Sequence, residues 1–225
     1  MRIRYPAVPI TAVLLLLLSS IASAQDAITY TELPRFQQVS EKLYRSGQPR
    51  AGGLARLHEL GINTIINLRG TSKTTRADEE EARSLGLNYF NVALPNWGRP
   101  QDTRVERILE LIAAPENGKV LVHCKDGVDR TGMIVAIYRL THEGRSTREA
   151  LAEADHHGMR RYQFWMRDYV KDFGRRVAKV GPESALNALH VGEAFDDRIG
   201  DGMRIMERET FRARRFLRKF STSLR

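Results

Sequence analysis

The segment HCKDGVDRTG at 123–132 brings together residues that could bind a phosphate and attack it. Cys124 is the only cysteine in 225 residues, Arg130 follows six residues later, and Gly127 lies between them. A thiolate is a nucleophile, and a guanidinium can hold two phosphate oxygens in a bidentate fork. Because glycine lets the backbone bend inward, the N–H groups of the segment could form an anion nest. We therefore expect a substrate-binding loop made of Lys125, Asp126, Gly127, Val128, Asp129 and Arg130.

Two predicted elements hold this loop. Lys119 to His123 (KVLVH) is β-branched and apolar, as in a buried strand, and Thr131 to His142 has the apolar pattern of a helix. The N-terminal end of such a helix attracts anions and favours the thiolate form of a nearby cysteine. We expect Thr131 to donate its hydroxyl group to the departing sulfur, although it could simply cap its helix. His123 would orient the loop, or only pack.

The rest of the chain predicts an α/β fold with a central, parallel-rich sheet flanked by helices, because strand patterns alternate with helix patterns. In such sheets the ligand lies beyond the carboxyl ends of the strands, which is where Cys124 falls. A Thr103-x-x-Glu106 capping box predicts the start of one helix. The other strands are predicted at 43–46, 62–68 and 87–94, and the other helices at 51–60, 75–85, 103–112, 147–156 and 162–180.

The first residues predict an exported protein. Arg2 and Arg4 precede an apolar run that peaks at Leu14 to Leu18, and Ala22-Ser23-Ala24 supplies small residues. This pattern is typical of a secretory signal peptide over residues 1–24, cleaved after Ala24, with a periplasmic or secreted product. An uncleaved membrane anchor is the alternative, although the run is short for a span. Cysteines of exported proteins usually form pairs, so a single one is a candidate for chemistry.

The excess positive charge lies at the C-terminal end. The two leader arginines and a net +6 over residues 203–225 leave residues 25–202 with only +1 of the total +9. Residues 203–220 (MRIMERETFRARRFLRKF) mix arginines with apolar residues, so this segment could lie on an anionic membrane surface or pack on the body. We expect no nucleic-acid partner. The predicted domains are a catalytic domain at 25–180 and a helical, basic C-terminal extension at 181–225.

The pattern Cys-x5-Arg-Thr-Gly between a strand and a helix resembles the cysteine-dependent protein tyrosine and dual-specificity phosphatases. The stretch YRSGQPRAGGLARLHELGINTIINLR at 44–69 is similar to the opening of their compact bacterial, fungal and plant members. The resemblance covers roughly residues 40–160. It implies the phosphatase fold and hydrolysis of phosphate monoesters through a phosphocysteine. It also implies Cys124 as nucleophile, Arg130 as phosphate binder, and no metal or other cofactor. Phosphorylated proteins, phosphoinositides and inositol phosphates remain open as substrates.

The acid that protonates the leaving oxygen is the point at which the match is incomplete. Family members usually place an aspartate on the loop after the preceding strand, but here that loop reads LPNWGRPQD, with Asn96 at the expected position. Asp102 is the nearest acid on the loop, although it could merely begin a helix. Asp129 is the other candidate, because Cys-x-Asp-Gly-x-Asp-Arg-Thr resembles the loop of myotubularin-type phosphoinositide phosphatases, in which an aspartate has been assigned this role.

Two other residues of the loop affect the substrate. Lys125 adds charge next to the nucleophile, which suits a substrate with more than one phosphate, or it is simply solvated. Asp126 is expected to pair with Lys125 or Arg99, or to face solvent. Two other functions compete with the phosphatase: a module that binds phosphate or another polyanion without turnover, and a rhodanese-like sulfurtransferase. The run Arg130-Thr131-Gly132 argues against the sulfurtransferase.

Overall fold

The computed structural model describes residues 29–191 of the chain. The predicted leader at 1–24 and the basic segment at 203–225 lie outside these residues. The strands are β1 Gln37–Gln38, β2 Leu43–Ser46, β3 Thr64–Asn67, β4 Asn88–Asn91 and β5 Val120–His123. The helices are α1 Gly53–Glu59, α2 Lys73–Ser84, α3 Asp102–Ala113, α4 Asp129–His142, α5 Thr147–His156, α6 Phe164–Val180 and α7 Pro182–Val191.

The strands form one sheet in the order β1-β2-β5-β3-β4. The four longer strands are parallel, and only β1 pairs antiparallel, at the edge. The register places Ser46 of β2 and Asn67 of β3 on either side of His123 at the end of β5. The prediction of an α/β fold with a parallel-rich sheet is confirmed, and the residue after His123 emerges at the carboxyl edge of the central strand.

The centre of the sheet is covered on both faces, as is usual for parallel strands. All four residues of β3 and of β5 are buried. Ile65 and Leu121 pack with side chains of α1 and α2 in one apolar cluster. Ile66 and Val122 belong to a larger cluster on the opposite face, which holds apolar side chains of α3, α4, α5 and α6. The core therefore fixes β5 from both sides.

Two helix starts differ from their predictions. The helix α3 begins at Asp102 with Gln101 as N-cap and no side-chain cap bond, so the capping box predicted at Thr103 does not start it. The helix α4 begins at Asp129, two residues before the predicted start at Thr131. Asp129 and Arg130 therefore belong to the first turn of α4, which fixes their backbone.

The end of the described chain is helical. The helix α7 packs against α3, α4 and α6. The boundary predicted at residue 180 between a catalytic domain and an extension stays a prediction. No helix within residues 29–191 is long and apolar enough to cross a membrane.

Candidate active site

The segment between β5 and α4 forms a tight loop under Cys124. Gly127 has a φ of +70°, which residues with a Cβ rarely adopt. A Cβ at this position would lie 2.5 Å from the backbone nitrogen of Gly47 and 2.6 Å from the carbonyl carbon of Ser46. The backbone N–H of Gln48 donates to the carbonyl of Lys125 at 2.9 Å. The turn after β2 thus buttresses the loop, and only glycine fits between them.

A buried arginine supports the loop from within the fold. Arg45 of β2 is 2% exposed, and its Nη2 donates to the carbonyl oxygen of Gly127 at 2.9 Å. No short-range motif in the sequence pointed to this residue, since the pairing of β2 with β5 brings it there.

His123 lies at the base of the loop, as expected. Its Nδ1 is 3.2 Å from the carbonyl oxygen of Cys124. Burial lowers the pKa of His123 to about 4, so the imidazole is neutral near pH 7 and can make this bond as the Nδ1–H tautomer. A neutral imidazole can thereby hold the first carbonyl of the loop.

The loop opens into a cavity of about 170 Å³. Cys124 lines this cavity and is 2% exposed. Five residues of the loop and its helix meet five residues from two other segments around this cavity. They are Cys124, Lys125, Asp126, Asp129 and Arg130 with Asn96, Trp97, Arg160, Tyr162 and Gln163.

Arg160 holds both aspartates of the loop. Its Nη1 donates to Oδ2 of Asp129 at 2.6 Å, and its backbone N–H donates to Oδ1 of Asp129 at 2.9 Å. Its Nη2 donates to Oδ2 of Asp126 at 2.6 Å. The bond from Arg160 holds the pKa of Asp126 below its usual range. The expected pairing of Asp126 with Lys125 or Arg99 is wrong, and Arg99 instead pairs with Asp172 at 2.6 Å.

Arg130 and two neutral side chains complete the site. Arg130 Nη1 donates to the carbonyl of Leu68 at 3.2 Å, which ties it to the end of β3. Thr131 Oγ1 and Gln163 Oε1 are buried and have no hydrogen-bond partner within residues 29–191. Buried polar atoms usually have partners, so these two atoms are available to a ligand, a water or the nucleophile.

Asp102 is not among the residues that line the cavity. Its Oδ1 accepts from the hydroxyl of Tyr169 at 2.6 Å, and its Oδ2 accepts from Nη1 of Arg176 at 2.7 Å. Burial raises the pKa of Tyr169, so this phenol remains a donor. Of the predicted loop residues, Lys125, Asp126, Asp129 and Arg130 line the cavity with Cys124, whereas Gly127 and Val128 do not. Asp102 lies in a contact between α3 and α6.

Sequence reasoning missed the second half of the cavity. Arg160, Tyr162 and Gln163 come from the segment MRRYQFW at 159–165, more than thirty residues after the cysteine. Trp97 and Tyr162 are 64% and 56% exposed, and their ring centroids lie 6.4 Å apart. The only hint in the sequence of a binding role for this segment was its cluster of aromatic residues around two arginines. No spacing pattern connects the segment to the loop.

Comparisons with known proteins place the chain in a family. Residues 23–172 match a family model described as a dual-specificity (DSP-PTPase) phosphatase fused to NAD⁺ kinase. The chain is also 33% identical over 163 residues to the dual specificity protein phosphatase TpbA of Pseudomonas aeruginosa, covering 72% of this chain and 70% of TpbA. The chain belongs to the cysteine-dependent dual-specificity phosphatases. An inositol diphosphatase of Arabidopsis thaliana is 30% identical over 46% of this chain and 54% of the relative.

Solved structures of dual-specificity phosphatases share the fold. A crystal structure of P. aeruginosa TpbA superposes with a TM-score of 0.55 at 25% identity, covering 69% of this chain and 90% of that one. The catalytic core of the inositol pyrophosphate (PP-IP) phosphatase Siw14 of S. cerevisiae superposes with a TM-score of 0.56 at 21% identity, covering 65% and 93%. The protein is a cysteine-dependent phosphatase, as the motif predicted. This family membership favours an enzyme over the two competing functions, the phosphate-binding module and the sulfurtransferase.

Proposed function

We propose that this phosphatase hydrolyses phosphate monoesters of aromatic alcohols, of the phosphotyrosine type, with Cys124 as nucleophile. The observation that supports it best is the aromatic rim of the cavity, made by Trp97 and Tyr162. These two exposed rings flank the entrance at 6.4 Å and are tilted by only 25°. Stacking on such faces favours a planar aromatic group on the substrate. The relative TpbA has been solved with phosphotyrosine bound.

The charge of the cavity supports a substrate with a single phosphate. Lys125, Arg130 and Arg160 line it against Asp126 and Asp129, a net of one positive charge, and Arg160 is fully engaged with the two aspartates. A ring with many phosphates would bring far more negative charge than these residues can balance. Inositol phosphates are the second candidate, supported by Lys125 next to the nucleophile and by the names of several relatives.

The proposed reaction has two steps. The thiolate of Cys124 attacks phosphorus, so that an S–P bond forms as the P–O bond to the aryl group breaks. The loop N–H groups and Arg130 bind the non-bridging oxygens, and the leaving oxygen takes a proton from a carboxylic acid. Water then attacks the phosphocysteine and gives a proton to the carboxylate left by the first step. The S–P bond breaks, inorganic phosphate leaves, and the thiolate and the carboxylic acid are restored. Gln163 Oε1 accepts a hydrogen bond from that water, and Thr131 donates to the departing sulfur.

We assign the proton donor to Asp129 in preference to Asp102. Asp129 lines the cavity, whereas both oxygens of Asp102 are bonded to α6 outside it. An aryl ester depends less on this acid than an alkyl ester does, since a phenol with a pKa of about 10 leaves more readily than an alcohol.

The nucleophile is tested by substitution of the cysteine. Cys124→Ser is expected to lose turnover of 4-nitrophenyl phosphate while still binding inorganic phosphate in a calorimetric titration, because the loop and Arg130 remain. Turnover near the wild-type level in this variant would contradict the covalent mechanism.

The acid is tested with paired substitutions and two leaving groups. Asp129→Asn should slow hydrolysis of phosphotyrosine by about 10²-fold or more, and that of 4-nitrophenyl phosphate much less, because general acids contribute in proportion to the need for a proton. Asp102→Asn should show no such difference. The reverse result would return the role to Asp102.

The substrate class is tested with one panel measured on the same preparation. We expect kcat/KM to be highest for phosphotyrosine, lower for phosphoserine, and lowest for inositol hexakisphosphate. Trp97→Ala should reduce kcat/KM for phosphotyrosine about fivefold and leave that for phosphoserine little changed, since a stacking contact contributes about 1 kcal/mol. A preference for the inositol phosphate would favour the second candidate.

We also propose that the protein is exported and that its basic C-terminal segment lies on anionic membrane. The leader pattern at 1–24 and the amphipathic sequence at 203–220 support this. Cell fractionation, with N-terminal sequencing of the mature protein, tests export and cleavage after Ala24. Recovery in the cytoplasm with an intact leader would contradict export.

Co-sedimentation with phosphatidylglycerol vesicles, with and without residues 203–225, tests the membrane contact of the C-terminal segment.

A further inference from the structure

A second cavity, of about 430 Å³, shares the phosphate-binding loop as a wall, because Gly127 lines it. Arg35 precedes β1, Arg45 belongs to β2, and His156 and His157 stand at the end of α5. Four basic side chains thus surround this space, and no carboxylate lines it. This composition is typical of a site for an anion.

The carboxylates closest in sequence to the two histidines form their ion pairs with arginines outside the cavity, and Glu153 acts on Arg45 and His157 only through space. Glu153 pairs with Arg139 at 2.9 Å and with Arg145 at 3.2 Å. Asp155 pairs with Arg167. Arg35 has no ion pair and no hydrogen bond within residues 29–191. Within residues 29–191, therefore, no carboxylate forms a direct ion pair with either arginine of the cavity.

Arg45 is the strongest single sign of a missing partner. Its side chain is among the largest fully buried ones, and Nη1 has no hydrogen-bond partner within residues 29–191. Burial lowers the pKa of Arg45, which reflects the cost of placing this charge away from water. A buried cation with an unused donor is rare unless something binds it. The other end of the guanidinium is fixed, since Nη2 holds the carbonyl of Gly127.

The end of α5 does not oppose an anion here. A helix C-terminus carries partial negative charge on its free carbonyls. In this protein the backbone N–H groups of His157, Gly158 and Met159 donate to the last carbonyls of α5, at 2.9 to 3.0 Å. The side chains of the two histidines are then the groups that α5 presents to the cavity.

We propose that this cavity is a second anion site that binds inorganic phosphate, held by Arg35 and Arg45 with the imidazole of His157. Only the source of the ion rests on the proposed function, since the neighbouring active site releases one phosphate in each turnover. The two sites are coupled, because the charge of Arg45 acts electrostatically on Cys124 and its Nη2 holds the loop. Occupation of the second site reduces the positive field at the nucleophile, and phosphate then inhibits beyond simple competition.

The binding test counts phosphate sites in protein that cannot turn over. Equilibrium dialysis of radiolabelled inorganic phosphate against the full chain with Cys124→Ser should give two sites per chain. Adding Arg35→Ser should leave one. Arg148→Ser is the matched control, because this exposed arginine lies at the opposite end of α5, roughly 12 Å from His156 along the helix, and it should leave two.

The outcomes separate this inference from the proposed function. One site that Arg35→Ser leaves intact overturns the second site and keeps the active site. No binding at all contradicts the phosphate loop itself. In the active enzyme, phosphate should lower kcat as well as raise KM for 4-nitrophenyl phosphate, and in Arg35→Ser it should only raise KM. Identical inhibition patterns in the two proteins would overturn the coupling.

Discussion

Loss of Arg160 should expose the phosphate to the negative charge of its own loop. For a carboxylate in the cavity wall on the order of 8 Å from a bound phosphate, one pair of unit charges interacts by about 2 kcal/mol at an effective dielectric constant of about 20. Asp129 is largely buried and should contribute most of this, whereas Asp126 is 41% exposed and is screened by solvent. We therefore expect Arg160→Met to weaken phosphate binding by about 30-fold to 100-fold.

The assay measures kcat and KM for 4-nitrophenyl phosphate together with the inhibition constant of phosphate. KM and the inhibition constant of phosphate should both rise while kcat changes little, because the substitution weakens anion binding. Arg161→Met is the control, since this adjacent arginine is exposed and does not line the cavity. It removes the same charge and should change neither constant more than twofold.

A second substitution decides between charge and structure. In the Arg160→Met background, Asp129→Asn should restore most of the lost affinity, and Asp126→Asn should restore less. Asparagine keeps the Oδ1 acceptor for the backbone N–H of residue 160, so the loop retains that bond. The electrostatic explanation is refuted if both double variants bind phosphate as weakly as Arg160→Met, while the melting temperature of all three is unchanged.

Three further results are expected. Gly127→Ala should lower kcat by at least about 10²-fold, because its Cβ would meet the backbone of Gly47 at 2.5 Å and move the loop; activity within tenfold of wild type would contradict the tight packing. The pKa of His123 is about 4 in the folded chain and 6.5 in the unfolded chain, so between these values only the unfolded chain binds the proton. The free energy of unfolding therefore falls as pH falls, by about 2 kcal/mol at pH 5. The urea midpoints at pH 7.5 and pH 5 should differ less for His123→Asn than for the wild type. Tyr169→Phe removes a bond to the carboxylate of Asp102 and should cost about 2 kcal/mol in urea unfolding with kcat unchanged; an altered pH–rate profile would implicate Asp102 in catalysis after all.

The sequence was sufficient for the sheet and for the loop because both depend on local patterns. The apolar run at 119–123 predicts a buried strand, and it became β5 at the centre of the sheet. The spacing of Cys124, Gly127 and Arg130 predicts a loop on its own, and the structure places Cys124 and Arg130 at one cavity, with Gly127 in the tight turn between them. The edge strand β1 was not predicted, since two exposed glutamines carry no strand pattern.

The rest of the site depends on contacts that are distant in the chain. Arg160 is thirty-one residues from Asp129, and no spacing rule connects them. Asp102 also depends on distant contacts: its position on the loop suggested an acid, and its carboxylate is bonded to Tyr169 and Arg176 of α6. Its proposed catalytic role stays a prediction. Ion pairs formed between separate helices are decided by tertiary packing, which a single sequence does not reveal.

The central position of β5 has a consequence for which parts of this site fluctuate. The strand is hydrogen-bonded to β2 on one side and β3 on the other, and all four of its residues are buried. Its amides can exchange with solvent only when the whole domain opens, whereas the exposed segments that carry Trp97 and Tyr162 can open locally at little cost. The enzyme therefore joins a nucleophile that directly follows this slowly exchanging strand to a rim on fast-exchanging loops. The rim residues can therefore change conformation to accommodate different leaving groups while the position of the Cys124 sulfur stays constant.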